Sequence, residues 1–288
     1  MISVIICSVN PALALQVKRN IGATIGVLHE IIISDNRNTG KGICQVYNEG
    51  ARQSRYDILC FVHEDVLFET NGWGRLIAGY FGNDPSLGVV GLAGSKYKSR
   101  APSGWATGLA TYDCSNILHI DNTGHRQKLY VNPGGNTVLE EVVTIDGVFM
   151  CARREAWHQY PFNEKVLKGF HFYDLDFSLS VGARFKLGVT YEMDLVHFTE
   201  GGDFGDKWLS IAIPWHRLCQ NKLPRSTSHV SELENLERTI AKKWLHRLKG
   251  EKISMANRLR WIKASRCWRH PFLWPHAALF FAYGFLKN

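Results

Sequence analysis

Three short apolar runs, each closed by polar residues, set the strongest limit on how this chain can fold. ISVII at 2–6 runs into CSVNP, HEIIIS at 29–34 into Asp35-Asn36, and DILCFV at 57–62 into His63-Glu64-Asp65. The runs are rich in β-branched residues and do not alternate with polar ones, the pattern of strands buried on both faces. Helical stretches lie between them, at about 12–25 and at ICQVYNEGARQS, 43–54. A further helix around 72–82 precedes another apolar strand, LGVVGLAG. This alternation predicts an α/β domain with a mainly parallel central sheet and flanking helices. Open sheets of that kind bind ligands beyond the carboxyl ends of their strands. The polar tips (Ser8 and Asn10, Asp35 and Asn36, His63 to Asp65) belong to that edge.

Downstream, residues 95–140 are rich in Gly, Ser, Asn and Tyr and read as an inserted β-rich or loop segment. TIDGVFMCARREAW (144–157) is a strand running into a helix, and FHFYDLDFSLSVGARFKLGV (170–189) a loop followed by a helix. VTYEMDLVHFTEGG (189–202) is a strand closed by a Gly-rich loop. Neither G-x-G-x-x-G after the first strand nor GxxxxGK[ST] occurs, so Rossmann dinucleotide binding and P-loop chemistry lack their signatures.

Several side chains can carry chemistry, and each has a plainer alternative. Asp65, just past a buried strand, suits Mg²⁺ or Mn²⁺ holding a ligand's phosphates, or a helix N-cap. Asp174 and Asp176 of YDLD point in different directions if helical, so one can cap the helix while the other acts as general base. Both could instead simply favour the helix dipole. His197, ahead of a flexible loop, is a metal ligand or a structural imidazole. GKG at 40–42 places Lys41 near a phosphate, or is a tight turn with a solvated lysine.

The order of these features resembles the GT-A nucleotide-sugar glycosyltransferases of the family 2-like group, in the subgroup named after a streptomycin-biosynthesis protein. The matching stretches are SVIICSVNP, EIIISDN, YNEGARQSRYDILCFVHEDVLF, GWG at 72–74, IDGVFMCARREAW, GFHFYDLDFSL and VHFTEGG, over about residues 1–205. The resemblance implies a GT-A (nucleotide-diphospho-sugar transferase) fold and an inverting, metal-dependent sugar transfer to a hydroxyl acceptor. Ser8, Val9, Asn10, Asp35 and Asn36 would line the nucleotide pocket, with Lys41 and Asn48 close by and Glu64 on the nucleotide or ribose. His63-Glu64-Asp65 takes the place of the DXD motif, with Asp65 as the metal-binding last acid, His63 as a structural residue and His197 as a further ligand to Mn²⁺ or Mg²⁺. Asp146 and Gly147 would sit beneath the acceptor, with Tyr173 and Asp176 near it and Asp174 as the catalytic base. Two positions depart from the pattern: His63 replaces the first DXD acid, and Tyr173 the acid before the base.

Charge divides the chain. Residues 1–221 hold 20 Lys and Arg against 22 Asp and Glu, a balance of −2, whereas residues 222–288 hold 14 against 4, a balance of +10. The expected organisation is a GT-A domain over 1–220 and a basic amphipathic helical tail over 221–288. In SELENLERTIAKKWLHRLK, Leu233, Leu236, Ile240, Trp244 and Leu248 recur at helical spacing. A basic, Trp-containing segment suits an anionic membrane surface and a lipid-linked or cell-envelope glycan acceptor; packing on the domain or a dimer interface is the alternative. No nucleic-acid recognition module is present. Seven cysteines, widely scattered and without a CxxC pair, predict neither a disulfide framework nor a zinc knuckle. With no signal peptide read at the start and no apolar run long enough for a membrane span, the expectation is a cytoplasmic protein, peripheral on the membrane's inner face. The expected donor is a UDP-sugar. Among other functions, a sugar-nucleotidyltransferase would need a Gly-rich loop after the first strand, which CSVNPALAL lacks. A catalytically degenerate GT-A protein would bind glycans or act as a scaffold.

Overall fold

The computed structural model describes residues 1–199 and 201–286. The chain begins with β1 (Ile2–Ser8), α1 (Pro11–Thr24), β2 (His29–Asp35), α2 (Ile43–Gln53), β3 (Ile58–Val62) and β4 (Val66–Phe68). Then come α3 (Trp73–Asn83), β5 (Leu87–Gly91), β6 (Ala93–Ser95), β7 (Tyr97–Lys98), β8 (Asp113–Ile120), β9 (Arg126–Val131) and β10 (Leu139–Val142). β11 (Thr144–Ile145), β12 (Phe149–Arg153), α4 (Arg154–Gln159), α5 (Tyr173–Val181), β13 (Lys186–Thr190), β14 (Leu195–Phe198) and α6 (Asp206–Leu218) follow. The chain closes with β15 (Arg225–Ser226), α7 (Leu233–Lys249), α8 (Met255–Ala264) and α9 (Trp274–Leu286).

The central sheet has seven strands in the order β10-β13-β5-β12-β3-β1-β2. Parallel pairing of β1 with β2 and β3, and of β13 with β5, leaves only β12 and β10 reversed. Ile2, Val4, Ile5 and Ile6 of β1 are all fully buried, each contributing roughly 1.5–3 kcal/mol. Helix α2 lies so close to this strand that a Cβ on Gly50 would come within 2.5 Å of Ile5 Cγ2. Pro11 opens α1, and Asn10 caps it by accepting from the Ala12 and Leu13 N–H groups.

The reversal of β12 positions the site. Phe149 pairs with Val62, so the chain entering β12 meets the chain leaving β3 at one edge, tied by the His63 N–H to the Val148 carbonyl at 3.2 Å. The same register sets Cys60 opposite Cys151, and the two are joined by a disulfide. Sequence spacing gave no sign of this bond, because its partners are 91 residues apart. Strands β8 and β9 of the inserted region join strands from elsewhere in the chain in a second sheet, β11-β6-β8-β14-β4, with β9 added on β8. In it His197 of β14 pairs with Val66 on one side and His119 of β8 on the other.

The basic tail folds back onto the body. Trp244 and Trp261 are buried and donate their indole N–H groups to the Ala106 and Pro102 carbonyls at 3.0 and 2.8 Å. Glu237 accepts from the Tyr97 hydroxyl at 2.5 Å, the Ser99 hydroxyl and the Arg100 N–H. Ile240, Trp244 and Leu248 join one core with Ala101, Trp208 and Leu209 of the body. Not all the positive charge faces outward: Arg258 is buried and donates to the Ile253, Phe280 and Glu251 carbonyls.

Candidate active site

Three side chains meet beyond β3. His63, Asp65 and His197 each offer a ligand atom, and these lie within 4.8 Å of one another. His197 Nε2 is 3.4 Å and His63 Nδ1 3.8 Å from the Asp65 carboxylate. Burial alone would raise the Asp65 pKa, but the hydrogen bond with His197, with the neighbouring imidazoles, holds it below the usual carboxylate range. Burial also holds the His63 imidazole below its ordinary value, favouring the neutral form that binds metals. His63, read from sequence as structural, therefore belongs to the donor group. Its Nε2 is engaged by the Tyr173 hydroxyl at 2.7 Å, which leaves Nδ1 turned toward Asp65. The two positions that depart from the family pattern are partners of each other. His119 went unnoticed in the sequence. Its ring lies 5.4 Å from that of His197, and its buried Nδ1 has no hydrogen-bond partner among the described residues.

Asp174 stands in the first turn of α5, which Phe172 enters with a left-handed backbone (φ 69°). Its Oδ1 accepts from the Leu175 N–H at 2.8 Å and its Oδ2 from the Gly147 N–H at 3.2 Å. Burial, reinforced by the charge of Asp146, pushes its pKa up to about 7. Position 147 must be glycine, because a Cβ there would lie 2.0 Å from the Tyr173 hydroxyl. Asp146 accepts from the Val148 N–H. Asp176 points the other way and accepts from the Trp215 indole at 2.8 Å. It is held against α6, outside the cleft in which it was expected.

The residues expected at the nucleotide fall into two groups. Ser8 Oγ and the Val9 and Asn10 N–H groups all donate to the Glu64 carboxylate, at 2.6, 3.1 and 3.0 Å. This binds the β1–α1 loop to the tip that carries His63 and Asp65, and it commits both Glu64 oxygens within the protein. Asp35 is paired with Arg37, whose hydrogen bonds pull its pKa down to about 2. Asn36 donates to the Lys41 carbonyl, while Lys41 Nζ pairs with Glu49 of α2 at 2.7 Å. Asn48 corrects the expectation. It is buried, donates to the Phe162 carbonyl and Glu164, and accepts from the Trp157 indole and the Phe162 N–H. That leaves no group for a nucleotide, and the side chain instead ties α2 to the segment after α4.

His63, Asp65, His197, Asp146, Gly147 and Asp174 line one cleft of about 860 Å³. A profile of the glycosyltransferase-like family matches residues 3–200. The chain belongs to that family. Its fold is that of the GT-A glycosyltransferases. S. aureus TarS 1-349 superimposes with a TM-score of 0.56 at 10% identity, over 98% of this chain and 88% of that one. The TarS 1-349 complex with UDP-GlcNAc gives 0.55 at 10% identity, over 98% and 89%. GalNAc-T7 with UDP, GalNAc and Mn²⁺ gives 0.52 at 10% identity, over 76% of this chain and 48% of that one, so the match spans about half of that protein. At such identity the likeness concerns fold alone. No curated protein matches the chain.

Proposed function

We propose that this glycosyltransferase-like protein is a metal-assisted, inverting transferase that moves a sugar from a UDP-sugar to an acceptor hydroxyl. The observation that carries the reading is the convergence, in one cleft, of the His63–Asp65–His197 donor group and a carboxyl with its pKa near 7. Two imidazoles and one carboxylate fit a divalent ion, and nitrogen ligands favour Mn²⁺ over the oxygen-preferring Mg²⁺. A cation held by these three residues would offset the negative charge that develops on the departing nucleoside diphosphate.

The chain's own groups supply the rest. The Asp174 carboxylate takes the proton from the acceptor hydroxyl as its oxygen attacks the anomeric carbon, a contribution of about 10²–10⁴-fold. The Gly147 and Leu175 N–H groups fix the direction in which that carboxylate points. Tyr173 holds the His63 ring. The loop at Ser8–Asn10, with Asp35 at the neighbouring strand tip, forms the nucleotide side. UDP-sugar is the donor class favoured because solved relatives of this fold hold UDP and UDP-GlcNAc.

For the acceptor we favour a lipid-linked or cell-envelope glycan, met by a protein resting on the cytoplasmic membrane surface. The support is the tail: Trp268, Phe272 and Trp274 are 54%, 76% and 57% exposed, beside Arg266 and Arg269. Among the described residues no helix is long and apolar enough to cross a membrane. The reading is tested by incubating the protein with a panel of nucleotide sugars, with Mn²⁺ or with a chelator. Slow hydrolysis of one UDP-sugar, abolished by chelation, is expected; no binding or turnover of any nucleotide sugar with Mn²⁺ would overturn it.

A further inference from the structure

Past Asp174 the cleft continues onto a wall that the mechanism above does not use. Phe172 packs against Trp208 of α6 at 5.2 Å, and Trp208 lies parallel to Trp244 of α7 at 5.6 Å. Phe204 stands edge-on to both indoles. Arg247, three residues after Trp244, lies over the Phe204 ring at 4.4 Å and near the Trp244 ring at 5.6 Å. Phe204, Trp208, Trp244 and Arg247 line the same cleft as Asp174.

Two polar groups on this wall are unspent. Buried indoles normally place their N–H on an acceptor. Here Trp73, Trp157, Trp215, Trp244 and Trp261 all do so. Trp208, only 5% exposed as a residue, makes no such bond among the described residues, and its N–H is not one of the fully buried unpartnered atoms, so it stays open to solvent. Nor does the Arg247 guanidinium make any hydrogen bond or ion pair among the described residues. The residue as a whole is exposed to solvent; partial desolvation of its head group is the main influence on its charge, and Glu251 acts on it only from a distance. Asp203, the acid on the same side, has one oxygen engaged by the Gly205 N–H. A planar guanidinium fixed on an aromatic ring, with its donors free, matches a phosphate or carboxylate.

We infer that this wall is the acceptor subsite and that it takes a sugar bearing an anionic group, phosphate or carboxylate, paired by Arg247 and reached by the Trp208 N–H. The inference rests on the glycosyltransferase reading for the word acceptor. An aromatic wall with few, well-placed polar groups is the usual make-up of a small-ligand site.

The test uses glucose 6-phosphate, glucuronic acid and glucose as probes, with binding followed by saturation-transfer NMR on the full chain. The charged probes should bind about tenfold more tightly than glucose. That preference should vanish in Arg247→Gln, while UDP with Mn²⁺ binds the variant as it binds the unaltered protein, showing that the fold survives. The stronger of the two charged probes names the group, phosphate or carboxylate. Equal binding of charged and neutral probes, survival of the preference in Arg247→Gln, or no binding of any probe overturns the inference. Charged-sugar binding without UDP–Mn²⁺ binding would instead remove the transferase reading and leave the anion site standing.

Discussion

Replacing Asp174 by asparagine separates what this carboxyl does in catalysis from its effect on the fold. Its pKa is pushed up to about 7 by burial and by the charge of Asp146, whereas an unfolded aspartate titrates near about 3.9. Across that window the folded chain keeps a proton that the unfolded chain has released. Stability therefore falls as the pH rises from about 4 and levels off above about 7. Each pH unit is worth about 1.4 kcal/mol, so roughly three units give about 4 kcal/mol. The carboxyl borders the cleft, where water screens part of the charge, and about 2 kcal/mol is the expected figure. The variant has no titrating group at this position. Its weakened hydrogen bond from the Gly147 N–H costs about 1 kcal/mol at every pH and cancels from the comparison. Urea unfolding should show Asp174→Asn gaining about 2 kcal/mol on the unaltered protein between pH 4 and pH 8. Sugar transfer should fall by about 10²–10⁴-fold. A stability difference that stays flat across this window would refute the raised pKa and the argument for the base built on it.

Two further outcomes follow from the same geometry. Tyr173→Phe keeps the ring but removes the hydroxyl that holds His63 Nε2, so calorimetry should find Mn²⁺ bound about tenfold more weakly; unchanged affinity would show that His63 needs no such support. Replacing Trp268, Phe272 and Trp274 together by alanine should abolish flotation with phosphatidylglycerol vesicles at low salt, and an unaltered protein that stays in the soluble fraction would rule out the membrane role.

The central sheet was legible because β1, β3 and β5 are buried on both faces and carry unbroken apolar runs, while β2, expected to be buried in the same way, carries such a run as a half-buried edge strand. Asp65 and His197 stood out as polar groups at strand ends and Asp174 as an acid at a helix start, and the structure brings them to one cleft. Where side chains spend their hydrogen bonds is not written locally. Asn48 lies in a helix with a buried face, and only the segment at Trp157–Glu164 shows that its amide is fully engaged. His63 looked like packing because nothing in FVHEDV tells which way the ring turns. Its orientation comes from Tyr173, 110 residues away. The spacing of Ile240, Trp244 and Leu248 gave helix α7 but not its partner. That face docks on the inserted region and α6, a contact between segments more than a hundred residues apart for Trp244 and Ala106.

The docking of α7 has a consequence for how such a chain can diversify. The groups that would activate the hydroxyl and hold the cation come from residues 63–197, whereas Trp244 and Arg247 reach the same cleft from a segment after the matched family region, which ends at residue 200. Substitutions on that one helix can therefore reshape what the cleft admits without touching the strand tips. Under the acceptor-site proposal, recognition and reaction would sit on separate segments of the chain, and exchanging α7 would be a compact route to a new specificity.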